Sequence, residues 1–238
     1  MMAYEIFYEI LLVALGYFFG SIPVGYIYGK VSRGIDIRDY GSGNMGATNI
    51  MRVFGKKAFF ITMILDMLKG AIAVLLARIY LWCGDYSGFG TNVTGTVFPK
   101  YLDEGFFLTF VALMAIVGHA LPVWVKFKGG KSAAVGSGVL LGINPIPFVF
   151  IILMWVILLK LTKIMSLSNL ILTLFAPFIY WIFAGENWFF NGSLWALIIA
   201  CVMVVFIYWR HRANIKRLLT GTERKMGEKV EVTLEAEG

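Results

Sequence analysis

Seven apolar runs occupy most of this chain, at 1–29, about 58–82, 106–125, 132–143, 146–159, 166–184 and 192–209. About 20 residues of helix cross the hydrocarbon layer of a bilayer, so the order of these runs largely decides the fold. Apolar types make up 59% of the 238 residues and charged types 15%, against roughly 45–50% and about 25% in a soluble domain. The expectation is an all-α polytopic membrane protein. Residues 1–225 read as one domain, and 226–238 as a disordered cytoplasmic tail.

The first run holds no Lys or Arg ahead of its apolar stretch and has Glu5 and Glu9 there instead. A secretory signal starts with basic residues, so an uncleaved span is expected. The runs at 132–143 and 146–159 are each shorter than a straight span, and Asn144-Pro145-Ile146-Pro147 between them reads as a turn. Charge arbitrates the count. With seven crossings, 18 of the 21 basic residues gather on one face, in the 30–57 loop, at Lys126, Lys128 and Lys131, at Lys160 and Lys163, and in the tail. The other face keeps only Arg78 and Lys100, with Glu5, Glu9, Asp85, Asp103, Glu104 and Glu186. The positive-inside bias then puts the N-terminus outside and the C-terminus in the cytoplasm. The same bias accounts for the net charge of +7 without nucleic acid as a partner. Cys83 and Cys201 form no disulfide or metal-ligand pattern. Gly16 and Gly20, then Gly25 and Gly29, have the small-xxx-small spacing of closely packed membrane helices. The acceptor-like triplets at Asn92 and Asn191 are too short to carry weight.

Polar residues concentrate in three islands on the cytoplasmic face. The first runs from Asp36 to Arg52. Its Gly41, Gly43 and Gly46 allow the backbone to curl N–H groups around one point, and Ser42, Asn44, Thr48 and Asn49 add side-chain donors; Ala47 lies among them. Such a loop suits phosphate, yet no Walker or dinucleotide pattern is present. The second island, Gly118 to Ser132, contains His119 and Lys128-Gly129-Gly130-Lys131, ahead of a helix start whose free N–H groups attract anions. The third, Arg210 to Arg217, places Arg210, His211 and Asn214 on one helical face. Ser168 and Asn169 open the sixth run and suit either a cap or a ligand contact. Within the membrane, Asp66 and Lys69 lie about 13 and 18 Å from Lys57; they are either a structural ion pair or a wall of the site.

Taken together these islands resemble the bacterial acyl-phosphate-dependent glycerol-3-phosphate acyltransferases. The matching motifs are Gly20-Ser21-Ile22-Pro23, Gly41 to Asn49 with Arg52, Asp66-xx-Lys69-Gly70, Gly118-His119-xx-Pro122-Val123, Phe127-Lys128-Gly129-Gly130-Lys131, and Arg210-His211-xx-Asn214-Ile215-xx-Leu218 with Gly221 and Glu223. They follow one another in family order to about residue 225. Val135 and Asn169 depart from the pattern.

The resemblance implies acyl transfer from acyl phosphate to the 1-hydroxyl of glycerol 3-phosphate, giving lysophosphatidic acid and phosphate, at the cytoplasmic side of a bacterial inner membrane. It implies no cofactor and no metal. It assigns catalysis to Ser42, Arg52, Lys131, His211 and Asn214, the 41–49 loop to acyl phosphate, and glycerol 3-phosphate to Arg52, His119, Lys128, Gly129, Gly130, Lys131, Ser168, Asn169, Arg210, His211 and Asn214. Steric reasoning adds a groove for the acyl chain along Ala133 to Gly138. The residues themselves lack a His followed five residues later by Asp, a nucleophile elbow, and a carboxylate cluster for metal. A transporter for an organic phosphate is the alternative, because basic pockets at broken helices also suit transport. For the orientation, a single cysteine at position 43, 131 or 211 is expected to escape membrane-impermeant thiol reagents in intact cells, while one near Asp85 reacts; labelling of Gly43→Cys from outside reverses the assignment.

Overall fold

The structure is a computed structural model that describes residues 2–86, 104–182 and 194–228. The expectations at Lys100, Asp103, Glu186, the two acceptor-like triplets and the tail beyond 228 lie outside the described residues. Ten α-helices are described: α1 (Met2–Ser21), α2 (Val24–Arg33), α3 (Ala47–Phe54), α4 (Lys56–Tyr86), α5 (Glu104–Ala120), α6 (Ala133–Ile143), α7 (Pro145–Thr162), α8 (Met165–Ile182), α9 (Leu194–Arg210) and α10 (Arg212–Leu219). All are consistent with an all-helical membrane fold. Four stretches are long and apolar enough to cross a bilayer, and α9 and α10 meet that test only as a pair bent by 62° at His211. α6 and most of α8 are shorter apolar helices.

The first run differs from its expected form. It is broken at Ile22-Pro23, where proline supplies no N–H and forces the residue before it out of the helical region. α2 then runs as a separate amphipathic helix and stops at Gly34, whose positive φ of 71° returns its N–H to the Lys30 carbonyl. The expected Asn-Pro turn is present. Asn144 caps α7 by accepting from the Ile146 N–H at 3.0 Å, and Pro145 fills the first helical position, where an N–H has no intrahelical partner anyway.

Glycines set the closest helix pairings, α1 with α5 and α4 with α6. A Cβ on Gly20 would strike the Ala115 carbonyl, and one on Gly138 the Met67 carbonyl. Gly142 likewise lies against Ala71 and Val74. α4 and α6 therefore run parallel with residues about 70 apart at one level. The core between these pairs is built from Phe107, Val111, Ala115, Val135 and Val139. By contrast α7 turns Val149, Leu153, Ile157 and Leu161 outward, the side that lipid covers in a membrane.

Asp66 and Lys69 are paired, and Asp66 also lines a cavity. The Lys69 ammonium lies 2.9 Å from Asp66 Oδ1, donates to the Ile22 carbonyl at 2.6 Å, and sits 2.9 Å from His119 Nδ1. An ammonium only donates, so His119 Nδ1 accepts and its ring hydrogen is on Nε2. Both members of the ion pair are at most 5% exposed. Removing one partner of such a pair costs about 3–5 kcal/mol. Lys69→Met is expected to lower the thermal midpoint in detergent steeply, and Lys69→Met combined with Asp66→Asn to recover part of the loss; a single variant no less stable than the double would show the pair to be dispensable.

Candidate functional site

All three islands and the segment after α10 converge at one end of the helix bundle. The 41–49 loop is held from inside. Asn49 Oδ1 accepts from the Ser42 N–H at 2.8 Å, and its amide donates to the Ile37 and Tyr40 carbonyls. A Cβ on Gly41 would overlap Asn49 Oδ1, and Gly41 has φ 64°. Asn44 Oδ1 accepts from the Gly46 N–H at 2.8 Å, at the start of α3. Asn49, expected as a donor to ligand, thus spends both ends of its side chain on the loop, whereas Asn44 spends its oxygen there. Arg38 fastens the loop to the second island: it forks onto Asp36, with 2.6 Å at the closest contact, and donates to the Val125 carbonyl.

The Gly129-Gly130 pair lies against His119. A Cβ on Gly130 would overlap His119 Nε2, and one on Gly129 the His119 carbonyl. Arg210 spends its guanidinium on the carbonyls of the same two glycines, at 2.9–3.2 Å. Lys131 leaves this clamp and donates to Asn214 Oδ1 at 2.5 Å. Ser132, next to it, holds a left-handed φ of 65°, which costs of order 1 kcal/mol for a non-glycine residue; its hydroxyl is tied to the Ile116 carbonyl at 2.8 Å.

Glu223, absent from the expected ligand set, organises the far side. Its carboxylate accepts from Asn214 Nδ2 (2.6 Å), Arg217 Nε (2.6 Å) and Ser166 Oγ (2.8 Å). Burial works against its charge, but these three hydrogen bonds outweigh burial and hold the carboxyl below its ordinary range. The Met226 N–H donates to the Lys163 carbonyl, so residues 223–226 form a strap across the site. Family-motif position alone hinted at Glu223; nothing in its local spacing connects it to Ser166, 57 residues away.

Under this rim lies a cavity of about 510 Å³. Ser42, Asn44, Gly46, Ala47, Thr48, Asn49, Arg52, Lys131, Ser166, Asn169, His211, Asn214, Glu223 and Arg224 line its mouth, with Asp66 and His119 on the wall. Gly41, Gly43, Gly129, Gly130 and Arg210 support the mouth without lining it, Lys128 is exposed outside it, and Ser168 turns its hydroxyl back onto the Ile164 carbonyl one turn earlier in α8. Asn169 accepts from Trp155 Nε1 at 2.8 Å. Deeper, the lining becomes apolar, through Met63, Gly136, Leu140, Ile151, Leu172, Met203 and Ile207.

Charge at the mouth is arranged for an anion. Arg52 makes no hydrogen bond to protein among the described residues, so its fork is free. Burial, reinforced by Arg217, lowers the Lys131 ammonium to about 8. Burial also lowers His211, to about 4, so the imidazole is neutral at pH 7. His211 Nδ1 lies 2.9 Å from the Ile207 carbonyl, which can only accept. The ring hydrogen is therefore on Nδ1, and Nε2 is an acceptor. A neutral acceptor binds a hydroxyl better than a phosphate oxygen.

Fold and site define a multi-pass helical membrane protein with a cationic mouth over an apolar cavity. Residues 10–221 match the family Glycerol-3-phosphate acyltransferase. Proteins called glycerol-3-phosphate acyltransferase are 41% identical in Listeria monocytogenes serotype 4a, over 91% of this chain and 96% of that protein, and 36% identical in Bacillus subtilis strain 168, again over 91% and 96%. The crystal structure of PlsY, an integral membrane glycerol 3-phosphate acyltransferase, in its glycerol 3-phosphate form, superposes with a TM-score of 0.74 at 32% identity, covering 92% of this chain and 96% of that one. This chain belongs to the glycerol-3-phosphate acyltransferase family.

Lys131 is charged below about pH 8 and loses its proton as pH rises through that value. Binding of inorganic phosphate, measured calorimetrically and corrected for the share of dianion, is expected to weaken several-fold between about pH 7.5 and 9.5. Lys131→Gln should bind weakly at both ends of that range; an unchanged pH dependence in the variant would remove Lys131 from the anion site.

Proposed function

We propose that the protein is an acyltransferase that moves a fatty acyl group from acyl phosphate to the 1-hydroxyl of glycerol 3-phosphate, giving lysophosphatidic acid and inorganic phosphate. The observation that carries this reading is the union of a cationic mouth and an apolar interior in one cavity. Both substrates bring a phosphate, and one brings a lipid tail. Arg52, with an open fork, and Lys131, held by Asn214, supply the phosphate contacts; Ser42 and Thr48 on the glycine loop face the donor's phosphate.

The hydroxyl oxygen of glycerol 3-phosphate attacks the acyl carbonyl carbon, an ester C–O bond forms, and the bond from carbonyl carbon to phosphate oxygen breaks. The proton leaves with the phosphate, whose oxygens lie beside the attacked carbon. His211 Nε2 accepts a hydrogen bond from the hydroxyl and aims it. Its low basicity among Lys131 and Arg210 makes it a poor final proton holder, which supports the substrate-assisted route. Positioning and fixed cations then provide the rate enhancement. The cations fill the electrostatic role, so the reaction needs no metal and no cofactor in this reading.

The mouth is the cytoplasmic side of a bacterial inner membrane. Seven crossings, by α1, α4, α5, α6, α7, α8 and α9, put the N-terminus outside. The hairpin of α6 and α7 supports this count, since α6 leads away from Lys131 and α7 returns to Lys163. Against transport, the far end of the cavity is walled by Ile143, Phe148 and Tyr180.

Purified protein in detergent should form lysophosphatidic acid with acyl phosphate and not with acyl-CoA; equal turnover with acyl-CoA defeats the donor assignment. His211→Ala is expected to raise KM for glycerol 3-phosphate about tenfold, the worth of one hydrogen bond, and His211→Gln to recover part of it. A limb in the kcat/KM pH profile that is present in the parent and missing from His211→Gln would make His211 the base instead.

A further inference from the structure

The cavity lies inside a membrane, where surrounding lipid tails are as apolar as its walls. Apolarity alone therefore cannot select an acyl chain here; fit to a closed end can. On α8, Ser166, Asn169, Thr173, Ala176 and Tyr180 line the cavity, flanked by Met165, Leu172 and Pro177. Steps of three and four keep them on one face of the helix, and along that face the lining passes from polar to apolar to aromatic. Ser166 belongs to the mouth through Glu223. Tyr180 belongs to the corner between α6 and α7. Its hydroxyl lies 2.5 Å from the Leu140 carbonyl and 3.0 Å from the Asn144 carbonyl, and the residue is 4% exposed. That corner is itself anchored, because Arg78 of α4 donates to the Gly142 and Ile143 carbonyls at 3.2 and 3.1 Å. The ring is thus pinned across the far end.

Depth follows from helix geometry. Ser166 to Tyr180 is at most about 21 Å along α8, which carries Pro177 within it, and His211 to Ala200, facing the same cavity from α9, is about 16 Å. An extended chain advances about 1.2 Å per bond, so about 14–17 bonds fit between mouth and floor. We infer that Tyr180 is the chain-length determinant: its ring stops the methyl end of the acyl chain and sets the preferred donor at about 14–18 carbons. The inference rests on the proposed reading of the cavity as the acyl site. A longer chain meets the pinned ring, and a shorter one leaves a void whose walls lose their contacts.

Ala176 lies one turn nearer the mouth, about 6 Å or five bonds. The test offers equimolar saturated acyl phosphates of about 8 to about 22 carbons together with glycerol 3-phosphate and reads the chain lengths of the lysophosphatidic acid by mass spectrometry. Product ratios within one reaction do not depend on how much enzyme is folded. The parent should peak at about 14–18 carbons. Ala176→Leu should move the peak about four carbons shorter, Tyr180→Ala should raise the longest products about tenfold relative to the parent's peak, and Tyr180→Phe, which keeps the ring, should leave the peak in place. Product from the parent with the same profile in Ala176→Leu and Tyr180→Ala overturns the length assignment alone. No product from the parent with any donor overturns the acyl-transfer reading as well.

Discussion

The buried Lys69 ammonium is the contact on which the rest is hung. A chain broken at Pro23 cannot return the Ile22 carbonyl to a helical N–H four residues on, and of the backbone only the Val24 N–H reaches it, at 3.0 Å; polar groups left short of partners in a membrane cost several kcal/mol. Lys69 meets that carbonyl, pairs with Asp66 and takes the third acceptor from His119. Three donors therefore join the α1–α2 break, α4 and α5. The His119 ring, fixed by that contact, is the surface against which Gly130 packs. Lys131 follows directly. A charge within the membrane thus sets where a charge at its edge can stand.

A division of labour among the cations follows from the same logic. Arg38 is spent on Asp36 and Val125, Arg210 on the carbonyls of the two glycines, Arg217 on Glu223, and Lys69 on Asp66. These side chains build the frame. Arg52 and the remaining hydrogens of Lys131 are left for a ligand. Excess positive charge at the rim is consequently concentrated on few groups in fixed positions, which is how oriented charge is worth more than charge in water. Glu223 offsets the repulsion among them without reaching into the cavity as a free carboxylate, since Ser166, Asn214 and Arg217 occupy it.

Much of this was legible in the chain, because membrane helices declare themselves by length and apolarity and polar residues in such a protein need a reason. The apolar runs from 58 to 209 match α4 to α9 within a few residues, and the short runs at 132–143 and 146–159 match α6 and α7. Residue type also brought Arg52, Lys131, His211 and Asn214 to one place. What spacing could not show was partnership across distance. Asn49 has the chemistry of a ligand donor, yet both ends of its side chain meet backbone groups of the loop. His211 reads as a phosphate ligand among basic residues, but burial and the Ile207 carbonyl make it a neutral acceptor. The links from Lys69 to His119 and from Ser166 to Glu223, 50 and 57 residues apart, and the closing of the cavity by Tyr180 depend on how helices meet, which no local pattern encodes. The break at Pro23 was signalled by the proline and masked by the apolar residues on both sides.

The shortness of α6 has a geometric consequence. Because Gly138 lies level with Met67 and Gly142 with Ala71, the first turn of α6 stands near Met63, roughly 10 Å below the basic start of α4 at Lys56. Lys131 and Asn214 therefore sit in a recess below the level of Lys56 rather than on a shelf beside it. A water-soluble phosphate must descend into that recess, while a lipid-tailed partner has only to slide at its own depth. The chain brings the aqueous phase down to the lipid, so neither reactant has to leave the medium in which it dissolves.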